Sequence, residues 1–228
     1  MSKIITTIRR KWMHLRLQPI RVFCLHHISE RFDPVSMYEG DWTDIEWFKK
    51  EVTTMLRQGY HFISLSDAYD HICSDTFRIK KYAVLTFDDG FASIKEVLPW
   101  LLQNQIPTTL FINGKYLDGV SYRETANERY LTYEDLWLLN DPLIEIAHHG
   151  WEHNDITHMT DTELERSIKL DDDMLSSHPR YIPFWAYTYG RHTAHNNDIL
   201  LAHHLITVFM DGMKNYNDST CIHRELLK

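Results

Sequence analysis

Long apolar runs are missing from this 228-residue sequence. No stretch approaches the roughly 18 apolar residues needed to span a bilayer. No apolar run of signal length follows the first basic residue either, so the chain is expected to act in the cytoplasm. Cysteine is scarce: Cys24, Cys73 and Cys221 are odd in number and widely spaced. That spacing excludes a disulfide framework and offers no paired-cysteine metal motif. Positive charge is short overall, with a net charge of -8, which argues against a nucleic-acid role. Low-complexity tracts, repeats and linker-like stretches are also absent, so residues 21–228 read as one domain.

The basic residues that exist are unevenly placed. Residues 1–21 carry Lys3, Arg9, Arg10, Lys11, Arg16 and Arg21 and no acid, leaving the remainder at -14. Ile4, Ile5, Ile8, Trp12 and Leu15 recur there at helical spacing. Residues 1–20 therefore read either as an amphipathic helix on an anionic membrane surface or as a basic lead-in that packs on the domain.

From residue 21 onward, strand-like and helix-like segments alternate. Strands are predicted at 21–25, 61–65, 82–87, 107–112, 143–147, 184–188 and 205–210. Predicted helices between them include 43–59, capped by Thr43, and one opening at Thr160 with Glu163 in a capping box. Ser66 is expected to cap a short helix, and Pro99 to kink or end another. This alternation predicts parallel strands with crossover helices, either an α/β barrel or a doubly wound sheet.

In "AVLTFDDGF" a buried strand ends on two adjacent acids, Asp88 and Asp89, before Gly90. Active sites of parallel α/β folds lie at such strand tips. Successive side chains leaving a strand point different ways, so two neighbouring carboxylates can serve a metal and a nucleophile. Without a cation their repulsion would keep one protonated. An exposed Asp-Asp-Gly turn is an equally good reading of the motif alone. A second strand runs into "HHGWEHNDITH", where His149 and His153 are four apart and would share the face of a helical turn. An Asp, His, His ligand set leaves positions open for water and substrate, as catalytic sites require.

"LTFDDGF" followed by "IAHHGWEHNDITHMT" resembles the polysaccharide deacetylase (NodB-homology, carbohydrate esterase family 4) superfamily. The likeness runs from "CLHHIS" at 24–29 to "HRELL" near residue 227. It implies a distorted parallel (β/α) barrel, usually of seven strands. It also implies removal of N-acetyl or O-acetyl groups from sugars with a divalent metal, most often Zn2+, with Co2+, Ni2+ or Mn2+ as alternatives.

By this resemblance Asp88 is the general base, and Asp89, His149 and His153 are the metal ligands. The backbone N–H of Tyr189, in "FWAYTYGRH", helps hold the oxyanion. His26 of "CLHHIS" matches a subgroup histidine. His223 of "CIHRE" is the candidate proton donor with His26, unless Arg224 beside it matches an arginine that ends the subgroup's final strand. Three departures stand out. Gly150 replaces the usual Ser or Thr, Thr188 replaces a proline, and Trp185 or Ala186 stands near the place of an arginine that orients the base.

The expected substrate is an N-acetylated carbohydrate, a bacterial surface polysaccharide or glycolipid precursor, handled at the inner membrane face. Two other readings compete with it: a non-catalytic carbohydrate-binding relative, and an O-acetyl esterase or other amide hydrolase on the same scaffold. Trp42, Trp151, Trp185 and Tyr187 are either sugar-facing aromatics or packing residues, the second being the more ordinary use.

Overall fold

The computed structural model describes residues 18–34, 37, 39–74, 80–118, 129–216 and 221–227. The basic segment up to residue 17 lies outside them. Among the described residues no helix is long and apolar enough to cross a membrane.

The chain begins with β1 (Arg21–Leu25), β2 (His27–Ser29), β3 (Trp42–Asp44), α1 (Ile45–Arg57), β4 (Tyr60–Phe62) and α2 (Leu65–Cys73). It continues with β5 (Lys81–Phe87), α3 (Ile94–Gln103), β6 (Thr108–Ile112), α4 (Tyr133–Leu138), β7 (Ile144–His148) and α5 (Asp161–Leu175). The last elements are β8 (Tyr181–Ala186), α6 (Ala194–Ala202), β9 (Ile206–Phe209), β10 (Ile222–His223) and β11 (Glu225–Leu226).

The main sheet is parallel and runs in the order β10-β9-β8-β7-β6-β5-β1-β11. Its two ends are consecutive pieces of one segment, residues 222–226, so that segment closes the ring into a barrel. Counted as one stave, it makes the barrel seven-stranded; counted as two, eight. The ring's membership differs from the sequence expectation. β4 pairs only with β5 and is not a stave, and the closing segment takes its place.

Period-2 alternation sorts the barrel side chains into two layers. Val22, Val84, Phe111, Ala147, Ala186, Val208 and Ile222 share one buried cluster, joined by Leu65, Ala68 and Ile72 of α2. Leu65 N and Ser66 N donate to Glu145, which lies near the start of β7. The start of α2 therefore sits at the barrel end opposite the strand tips. The alternate residues Phe23, Leu25, Leu85, Leu110 and Ile146 face outward, against Phe48, Val52 and Met55 of α1 and Val97 and Leu101 of α3. Burying each such side chain contributes about 1.5–3 kcal/mol, so the helices are held by the barrel wall rather than by propensity.

The predicted capping box of α5 is present: Thr160 and Glu163 exchange both hydrogen bonds. Two caps lie elsewhere than expected. Asp44, not Thr43, caps α1 by accepting from Trp47 N, and Ser64, not Ser66, caps α2. Pro99 does not end α3; it lies inside the helix on its exposed face, while Val97, Leu98 and Leu101 are buried.

Candidate active site

Asp88 and Asp89 leave the tip of β5. Asp88 N donates to Leu25 O at 2.9 Å, which extends the β1–β5 ladder by one residue. Period 2 then places Asp88 on the inward face with Val84 and Thr86. The chain turns sharply at once: Asp89 has φ 70 and Gly90 φ 75. His149 extends β7 in the same way, its N donating to Ile112 O at 2.9 Å.

His149 and His153 come together through a turn, not a helix. Gly150 at φ 82 and His153 at φ 53 bend the chain back. Their ring centroids are 5.2 Å apart. Gly150 explains one departure from the resembled pattern, because Ser or Thr would be strained at that φ. A Cβ at that position would also lie 3.4 Å from the Trp185 ring.

Asp89, His149 and His153 are all buried and converge. Asp89 Oδ1 is 3.2 Å from His149 Nε2 and 3.0 Å from His153 Nε2. Ligand atoms on one ion, with bonds of about 2.0–2.2 Å, stand roughly 3–3.6 Å apart, so these three already have ligand spacing. Asp89 Oδ1 is buried without a well-formed hydrogen bond. His149 Nδ1 lies 2.9 Å from Ala186 O, which can only accept, so Nδ1 carries a proton and Nε2 is the atom that faces Asp89. A buried carboxylate oxygen facing two imidazole nitrogens at these distances is a suitable arrangement for a cation. The donor set fits a divalent metal.

Asp88 is held separately. Arg224 Nη1 donates to Oδ1 at 2.6 Å and Nη2 to Oδ2 at 2.8 Å. Both residues are almost fully buried. Arg224 sits at the break between β10 and β11, donates also to Thr86 Oγ1, and covers the Phe111 ring at 5.1 Å. The Cys24 thiol donates to Asp88 Oδ2 at 3.3 Å.

Burial by itself would raise the pKa of Asp88. The charges of Arg224, His149 and His26 outweigh it and hold the carboxyl at about 2. Asp89 follows the same logic: burial opposes ionisation, but His149 and His153 bring its pKa well below the usual range. For His149 burial favours the neutral ring, and Asp88 and Asp89 override it upward. Burial pushes the Cys24 thiol well above its ordinary value, so it stays a donor.

The remaining sequence candidates separate. His26 stands with Cys24 and Asp88 in a cluster whose ligand atoms lie within 4.8 Å of one another. Tyr189 is at φ 56 in a 3-10 turn, with its ring 4.7 Å from that of His153. Among the described residues, three of the five non-glycine residues at positive φ are thus Asp89, His153 and Tyr189, gathered at one place. Such backbone strain persists where surrounding structure holds it and clusters at functional sites. His223 is engaged elsewhere, its Nδ1 2.8 Å from Asp211 Oδ2 and its Nε2 near Cys221. Strand alternation sends it away from its neighbour Arg224.

The sequence reading missed the polar positions that pin the turn carrying His149 and His153. Asn113 Nδ2 donates to His149 O and Gly150 O, Trp151 N to Ser167 Oγ, and Gly114 N to Asp171 Oδ1. Ser167 and Asp171 are buried with Leu164, Ile168 and Leu175 of α5, and two polar residues on an apolar helical face were the available signal. Trp185 and Tyr187 are core residues, and Trp42 donates to Ser29 Oγ.

Comparison with known proteins bears on the fold and the family. The fold resembles IcaB from Ammonifex degensii (TM-score 0.73, 17% identity, 93% of this chain and 94% of that chain). It also resembles the Streptococcus pyogenes deacetylase PplD in complex with acetate (0.74, 19%, 92% and 92%). A third neighbour is a de-N-acetylase from Aggregatibacter actinomycetemcomitans (0.74, 16%, 92% and 95%). No curated protein matches the sequence. The profile of the family described as polysaccharide deacetylase matches residues 77–206, more than half of the chain and all the strand tips that carry Asp88, Asp89, His149 and His153, and the chain belongs to that family.

Proposed function

We propose that the protein is a divalent-metal-dependent hydrolase that removes N-acetyl groups from a carbohydrate, a bacterial surface polysaccharide or glycolipid precursor. The observation that carries this reading is the division of labour between neighbouring carboxylates. Asp89 converges with two imidazoles, while Asp88 is held beside them by Arg224. The de-N-acetylase among the structural neighbours supports N-acetyl as the group removed. Asp89, His149 and His153 would hold the metal. Their oxygen and nitrogen donors suit Zn2+ first, with Co2+, Ni2+ or Mn2+ as alternatives.

A cation held there would polarise the acetyl carbonyl and acidify water. Asp88 accepts the proton of the attacking water. A carboxyl held at about 2 is fully ionised at neutral pH but a weak base, so it takes a proton only from water already acidified. Arg224 fixes the carboxylate through two bonds, which keeps it from folding over onto the metal ligands. The backbone N–H of Tyr189 is the proposed oxyanion donor. His26, in the Asp88 cluster, is better placed than His223 to protonate the leaving amine. The basic residues 1–20 would bring the enzyme to the anionic cytoplasmic face of a membrane.

Treatment with a chelator is expected to abolish acetate release from N-acetylhexosamine conjugates, and added Zn2+ to restore it. His149→Ala should lose both metal and activity, by more than the 10–100-fold that outer-shell changes cost. Elemental analysis alongside an acetate assay checks this. Full turnover by metal-free protein would reject the scheme, and release from O-acetylated sugars only would move the assignment to an esterase.

A further inference from the structure

A second set of metal-ligating atoms lies against the first. Cys24 Sγ, a ring nitrogen of His26 and a carboxylate oxygen of Asp88 all lie within 4.8 Å of one another. The residues come from the tips of β1 and β5, adjacent parallel strands paired in register from Arg21–Ala83 to Leu25–Phe87. Cys24 and Asp88 point to the same inward face of that pair. Their ligand atoms are 3.3 Å apart, already the spacing of two ligands on one ion. Cys24 and Asp88 are buried, whereas His26 is half-buried and gives the cluster an open side. From this geometry we infer that Cys24, His26 and Asp88 form a second binding site for a thiophilic divalent cation, whose filling blocks the catalytic base.

The chemistry of the two donor sets differs. Asp89, His149 and His153 offer oxygen and nitrogen only, while the second set adds sulfur, which favours Zn2+, Cd2+ or Co2+ over Mg2+ or Ca2+. Binding exchanges the thiol proton, released to solvent, for the cation, and nothing is oxidised or reduced. Arg224 is the main opposing charge, since its guanidinium already holds both oxygens of Asp88. A carboxylate oxygen has a further lone pair to give, so the guanidinium weakens the second site without closing it. The second site therefore fills after the first. The two ions would be neighbours, because His149 Nε2 is only 3.8 Å from Asp88 Oδ2. A base whose lone pair is committed to a cation cannot take a proton from water, so excess metal inhibits.

The binding stands on the cluster alone; the inhibition rests on the deacetylase reading. Titration of metal-free protein with Co2+ separates the two. The first equivalent is expected to give visible d–d bands without near-ultraviolet thiolate-to-cobalt charge transfer, and the second to add that charge-transfer band. Cys24→Ser should lose the near-ultraviolet band and keep the visible bands, which also report that it is folded. A Cys73→Ser/Cys221→Ser variant should keep both. In the acetate assay, excess Zn2+ is expected to slow the wild type several-fold relative to one equivalent, and Cys24→Ser to resist that slowing. Absence of the near-ultraviolet band in the wild type, or its survival in Cys24→Ser, overturns the site. The band without any Zn2+ inhibition overturns the blocking of Asp88. A normal band in a protein that releases no acetate leaves the second site standing and rejects the deacetylase reading instead.

Discussion

Replacing Asp88 with asparagine is expected to lower acetate release by about 10²–10⁴-fold, the usual contribution of a positioned general base, while the protein still takes up zinc. The substitution preserves shape and leaves one side-chain oxygen for Arg224, but it removes the lone pair and charge that receive the proton. The proposed metal ligands are untouched, since Asp89, His149 and His153 converge without Asp88 among them. Metal content measured on the same sample guards against a trivial explanation, namely that a buried Arg224 without its counter-charge has disturbed the fold. A variant that keeps zinc and most of its turnover would show that some other group is the base.

Arg224→Met is expected to have the largest effect on stability. It removes two hydrogen bonds and leaves a buried carboxylate with its main counter-charge gone, a change that costs about 3–5 kcal/mol. Asp88→Asn/Arg224→Met should recover part of that loss, because no buried charge is then stranded. Denaturant unfolding of metal-free protein, followed by tryptophan fluorescence, measures both. The pH dependence has a definite sign. Asp88 has a folded pKa of about 2 against an ordinary 3.8. Its stabilisation, about 2 kcal/mol, is therefore complete above the ordinary value and is lost as pH falls toward the folded one. In Arg224→Met the wild-type advantage should shrink over that acid range. An unchanged gap between the two proteins from neutral pH to pH values near 2 would mean that the pair contributes nothing.

Much of this architecture is legible along the chain because most barrel strands carry contiguous apolar or β-branched residues. "YAVLTF" and "TTLFI" announce themselves, and Thr160 with Glu163 marks the start of α5. The closing segment does not. Residues 222–226 read Ile-His-Arg-Glu-Leu, with three polar residues at the centre and a two-residue strand on either side of Arg224. Its strand character comes from the neighbours it pairs with, and no local pattern encodes that. The candidate ligands Asp89, His149 and His153 stood out from motif spacing, yet the reason they meet did not. A helical turn was expected at His149, and the structure supplies a reversal through Gly150 and His153 at positive φ. The Arg224–Asp88 pair joins residues 136 apart in sequence, and nothing local connects them. A separation of 64 residues likewise hides the Cys24–Asp88 contact from any spacing rule.

The seam of the barrel sets an order of events during synthesis. β1 is among the first described strands, and it lacks one neighbour until residues 225 and 226 arrive. Asp88 likewise lacks its guanidinium until residue 224 has left the ribosome. A nascent chain stopped before that point would expose the free edge of β1 and leave Asp88 without the largest of the charges that keep it ionised. Closure of the ring and pairing of Asp88 with Arg224 are thus one step.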